Sequence, residues 1–86
     1  MGLHIIKVEY RSGVRRRNAT FFAKVPYGGS YDMTEKLTRL QQQEQVKWFK
    51  VSGASKEEIA RERPGLKRWP EALRETAAIT GVDLDV

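Results

Sequence analysis

Residues 3–27 read LHIIKVEYRSGVRRRNATFFAKVPY, and this stretch decides the fold. From Leu3 to Arg11 the side chains alternate. His4, Ile6, Val8 and Tyr10 take one face, and Lys7, Glu9 and Arg11 take the other, with Leu3 and Ile5 at the start. A period of two is the spacing of a half-buried strand. The pattern recurs from Arg17 to Tyr27. There Ala19, Phe21, Ala23, Val25 and Tyr27 oppose Asn18, Thr20, Phe22 and Lys24. Ser12-Gly13 supplies a turn between the runs. The two strands therefore make a β-hairpin whose tip carries Arg15, Arg16 and Arg17.

Working outward, Pro26-Tyr27-Gly28-Gly29-Ser30 breaks the second strand. Asp32 is then expected to cap a helix, with Glu35 completing a capping box. Met33, Leu37 and Leu40 fall at i, i+4 and i+7, a narrow apolar stripe, and the helix is expected to end near Glu44. Val46-Lys47-Trp48-Phe49-Lys50-Val51 is β-branched and aromatic enough to read as a third strand. Returning after one helix, it can lie antiparallel beside the first strand, giving the order 2-1-3.

The last third reads as helical. Ser55 and Glu58 form a capping box, Pro64-Gly65 stops the helix, Pro70 opens another, and Gly81 ends it. Leu66, Trp69, Leu73, Ala77 and Thr80 line one face of that last helix. Val82, Leu84 and Val86 alternate with Asp83 and Asp85, as a short fourth strand or a docked tail. The expected fold is α+β: a three-stranded antiparallel ββαβ sheet packed on a helix, followed by a helical hairpin. The 86 residues make a single domain, with a basic hairpin at 1–31, a helix and third strand at 32–53, and a helical hairpin with an acidic tail at 54–86.

Charge divides this chain unequally. Residues 1–31 hold six basic side chains and one acidic, a net of +5, whereas residues 32–86 hold ten of each. Five of the eight aromatics also lie in residues 1–31. A basic, aromatic segment joined to a neutral one is the footprint of a nucleic-acid-binding face. The chain has no cysteine, which excludes disulfides and thiolate metal sites. The opening Met1-Gly2-Leu3-His4 has no signal-peptide pattern and no apolar run approaches a membrane span, so no membrane partner and a cytoplasmic location are expected.

The residues point to non-enzymatic nucleic-acid binding, DNA or RNA, without cofactor or metal. Arginine forks match phosphate bidentately, so Arg15, Arg16 and Arg17 would take phosphates. Arg11, Lys7 and Lys24 would extend the track, and Lys47 and Lys50 would continue it from the third strand. A two-stranded hairpin can enter a major groove. Phe22 shares a face with Thr20 and Lys24. If that face stays open, Phe22 is a stacking platform for single-stranded bases; if the C-terminal helices cover it, Phe22 is core.

His4 is the lone histidine and reads as structural, and no Ser-His-Asp arrangement is evident. Residues 55–81 resemble the helix-turn-helix of small antitoxin-type regulators over about a third of the chain. A recognition helix carries exposed basic and amide side chains, whereas Glu71, Arg74 and Glu75 nearly cancel, so the pair reads as packing or protein-contact helices. A second reading follows: a phage- or plasmid-type inhibitor or adaptor that docks on a larger protein or nucleoprotein complex, or a homodimer, with Trp48, Trp69 and Arg74 as anchors. A third is a toxin-like ribonuclease relying on Arg, Lys and Tyr.

Overall fold

The expected hairpin forms from β1 (Leu3–Ser12) and β2 (Asn18–Pro26), paired antiparallel with Lys7 opposite Phe22 and Arg11 opposite Asn18. The structure is a computed structural model that describes residues 3–26 and 28–85. Tyr27 and Val86, placed by their alternation on apolar faces, lie outside the described residues. The remaining elements are α1 (Ser30–Gln42), β3 (Val46–Gly53), α2 (Lys56–Glu62), a 3-10 turn (Arg63–Gly65), β4 (Lys67–Arg68) and α3 (Trp69–Thr80).

The protein is α+β, with three helices and a four-stranded mixed sheet in the order β3-β1-β2-β4 among the described residues. The expected 2-1-3 order is present, but β4 extends it by pairing parallel to β2, with Ala23 opposite Lys67 and Lys24 opposite Arg68. The expected helical hairpin is therefore not one. The 3-10 turn and β4 interrupt it, and its two helices sit on opposite faces of the sheet. Val82–Asp85 is a docked tail rather than a strand. Val82 is buried, the Asp83 N–H donates to the Gln45 side-chain oxygen at 2.8 Å, and Lys36 donates to the Leu84 carbonyl at 2.6 Å.

One face of the sheet carries the core. Ile6, Val8 and Tyr10 of β1, with Phe21, Ala23 and Val25 of β2, pack against Met33, Leu37 and Leu40 of α1 and Leu73 and Ala77 of α3. His4, on the same alternation, is exposed at the start of the strand. The chain enters α1 earlier than Asp32 suggested. A turn closed by the Gly29 N–H on the Pro26 carbonyl at 2.7 Å delivers it at Ser30, with Gly29 as N-cap and no side-chain cap. Asp32 sits inside the first turn, where its carboxylate faces the positive end of the helix dipole. The capping box of Ser55 and Glu58 forms on α2 as read, and Gly81 closes α3 at φ +77°.

Three chain reversals meet at one end of the sheet. The hairpin tip, the α1–β3 turn and the end of α3 are joined there by buried hydrogen bonds. Ser12 donates to the Thr80 carbonyl at 2.9 Å and accepts the Arg15 N–H at 3.2 Å. The Tyr10 and Thr80 hydroxyls lie 2.7 Å apart, and Thr80 donates its single proton to the Thr76 carbonyl at 2.9 Å, so Tyr10 is the donor to Thr80. The Gly13 N–H donates to the Gln45 carbonyl at 2.9 Å. A Cβ at Gly13 would run into the Glu44 carbonyl oxygen, which is why only glycine fits where these two turns touch.

Candidate nucleic-acid interface

The second face of the sheet is laid out by the strand register. In one row Trp48 of β3, Arg11 of β1 and Asn18 of β2 stand side by side; in the next, Lys50, Glu9 and Thr20; in the third, Ser52, Lys7 and Phe22. Directly opposed side chains in such rows lie about 4.5–5.5 Å apart and successive rows about 7 Å, so these groups form one surface. Trp48 reaches it through a bulge. Arg11 pairs with Trp48 but Ser12 pairs with Val46, which leaves Lys47 unpaired between them. The extra residue lets Val46, Phe49 and Val51 all point inward while Trp48 and Lys50 point out.

Helix α2 covers the third row. Lys7 pairs with Glu58 at 3.1 Å, and the Arg61 guanidinium lies 5.8 Å from the centre of the Phe22 ring. The Ala54 N–H reaches the Ile5 carbonyl at 3.2 Å and holds the chain down as it enters the helix. The Glu58 carboxyl is lowered from its ordinary range, first by the Ser55 N–H of the capping box and then by Lys7. Phe22 is thus neither core nor an open platform. It is half-buried on the outer face, beneath a cation of its own chain. Lys24 is half-buried in the next row, beside a cleft it lines with Ile5, Arg63 and Leu66.

The basic track expected as continuous is accordingly divided. Lys7, Phe22 and Lys24 lie at the end that α2 covers. Arg11 and Lys50 lie on the outer face at the other end, with Lys47 in the bulge; Arg16 and Arg17 lie in the hairpin tip beyond, where Arg17 stands opposite the inward-facing Ser12. Arg11 is steadied by donating to the Asn18 side-chain oxygen at 3.0 Å. Among the described residues, the side chains of Arg16, Arg17, Lys47 and Lys50 make no ion pair or hydrogen bond, and all four are exposed. Glu9 is the one carboxylate in these rows.

Arg15 leaves the track. Its side chain crosses the end of α3, so close that a Cβ at Gly81 would lie 2.7 Å from its Nε. A cation at a helix C-terminus is favoured by about 0.3–1 kcal/mol, which gives Arg15 a structural task. Nor is the hairpin free to enter a groove alone. β3 flanks β1 as far as Ser12, and Gln45 binds Gly13. Three strand axes plus side chains exceed the ~12 Å width of a major groove.

The three residues expected as protein anchors do not form one patch. Trp48 is on the outer face of the sheet. Trp69 is half-buried against the core on the helical side, where it lines a groove of about 220 Å³ with Arg74, Lys36 and Leu84. Trp48, expected as a protein anchor, instead stands beside Arg11, and a strict period of two cannot hold Val46 and Phe49 on one face. Their three-residue spacing was the available signal of a bulge. No helix among the described residues is long and apolar enough to cross a membrane. Comparison with family models, curated proteins and solved structures finds no match to this chain.

Proposed function

We propose that this chain binds nucleic acid without catalysis, through the uncovered end of the outer sheet face. The observation that carries this reading is the gathering of five cations at that end of the sheet, Arg11 and Lys50 on the outer face, Lys47 in the bulge, and Arg16 and Arg17 in the hairpin tip, where Glu9 is the one carboxylate in the strand rows. Four of the five have no partner among the described residues, although acidic side chains are as plentiful as basic ones in residues 32–86. Unpaired surface cations contribute little to folding and repel one another, so their clustering is accounted for by an anionic ligand. Phosphate oxygens suit both the forks of the arginines and the point charges of the lysines.

The test is a salt titration of the natural protein and of Arg16→Ala/Arg17→Ala/Lys50→Ala against duplex DNA, single-stranded DNA and RNA. For every phosphate no longer neutralised, the slope of log K against log salt should fall by about 0.9 for a duplex and about 0.7 for a single strand. The melting temperature should hardly move, since exposed substitutions of this kind stay within about ±0.5 kcal/mol each. Equal affinity and slope in the triple variant would refute the reading.

A further inference from the structure

We infer that the ligand is single-stranded, and that one of its bases stacks on Trp48. This deepens the reading above and rests on it. Trp48 keeps 42 % of its surface exposed on the edge strand of the uncovered end. Among the described residues no cation is found over its ring, whereas the other outward-facing aromatic of the sheet, Phe22, is overlaid by Arg61. Arg11 stands directly beside it in the register, fixed by Asn18. Lys47 precedes it on the edge strand, where its carbonyl accepts from the Gln41 side chain at 3.1 Å, and Lys50 follows in the next row.

A ring surrounded by cations suits a ligand that brings π-faces and phosphates together. An unpaired polynucleotide does so, because its bases are splayed out and its backbone runs alongside. A duplex does not, since its bases are stacked inward and the sheet end is too broad for its major groove. α2 sets the limit of the site. With Lys7 and Phe22 occupied by Glu58 and Arg61, the open surface offers one aromatic ring, so one stacked base is expected rather than a run of them.

Two measurements test this. In Trp69→Phe protein Trp48 is the sole tryptophan, and its emission is followed on titration with oligodeoxythymidylate, oligouridylate and a duplex of equal length at low salt. In the otherwise natural protein, Trp48→Ala is compared for affinity to the same three probes. We expect saturable quenching of Trp48 by the single strands. Trp48→Ala should lose roughly 5- to 150-fold in single-strand affinity, the range that losing one stacked base spans. Duplex affinity should change less than about twofold, because the cations that meet phosphate remain. The two single strands then show whether the sugar is read as well.

Duplex binding that depends on Arg16, Arg17 and Lys50, with unchanged single-strand affinity in Trp48→Ala, would overturn this inference and leave the proposed function standing. Absence of binding to all three probes would overturn both. The second measurement does not depend on the Trp69 variant, so poor folding of that variant leaves the inference open to refutation.

Discussion

Replacing Ser12 with alanine removes one oxygen from the place where the hairpin tip meets the end of α3. Ser12 is fully buried at 0 % exposure, and Thr80 is 3 % exposed. The Thr80 carbonyl belongs to the last turn of α3, where helices leave their carbonyls without internal partners, and Ser12 is the donor that satisfies it at 2.9 Å. Ser12→Ala orphans a buried acceptor at a cost of about 1–3 kcal/mol. The Arg15 N–H also loses its acceptor, but Arg15 is exposed and water can replace the hydroxyl. The lost volume is one oxygen, so a cavity adds little.

Taking about 2 kcal/mol and about 4–8 °C per kcal/mol for a domain of this size, the melting temperature should fall by roughly 8–16 °C. Thermal unfolding followed by circular dichroism measures it, with Arg16→Ala/Arg17→Ala as the exposed control at the same turn. Amide exchange supplies a second reading, since protection at Gly81 and Val82 should drop together with that at Arg15. A variant that melts within about 3 °C of the natural protein would refute the argument that Ser12 joins these elements.

Burial raises the Tyr10 hydroxyl above its ordinary range. A raised folded-state value means stability that is present below the unfolded pKa, near 10, and lost as pH rises through the folded one. Denaturant midpoints should therefore fall more steeply above about pH 10 in the natural protein than in Tyr10→Phe; equal slopes would refute it. Phe22→Ala should cost about 1–2 kcal/mol, short of the roughly 3–5 kcal/mol of a fully buried phenylalanine, and a melting curve that reports about 4 kcal/mol would put Phe22 in the core.

Local grammar was legible in the sequence. Ile6, Val8 and Tyr10 announce a strand by period, Met33, Leu37 and Leu40 a helix, and Ser55 with Glu58 a cap, because each signal is read within a few neighbouring residues. What was hidden depends on distant partners. β4 is two charged residues, Lys67 and Arg68, whose pairing arises from the backbone of β2 and leaves no apolar pattern. The same short strand sends α2 and α3 to opposite faces, so the helical hairpin read from capping alone could not survive. Asp32 carries the chemistry of a cap, yet the turn at Pro26–Gly29 starts the helix before it. In the candidate site, cation identity was legible and cation direction was not. Arg15 is diverted by the end of α3, 66 positions later in the chain.

The hydroxyls of Tyr10 and Ser12 find their partners 70 and 68 residues further along. On the ribosome, therefore, the first strand is made long before the helix that satisfies its buried oxygens. Until Thr80 emerges, β1 can pair with β2 and β3, but two hydroxyls on its inner face still need water. The nascent hairpin must remain wet and loosely closed, and cooperative closure waits for α3. Contacts of such long range also slow folding, since the loop entropy is lost before they form. A chain shortened before α3 should therefore not yield a smaller stable protein, but a sheet with its inner face unsealed.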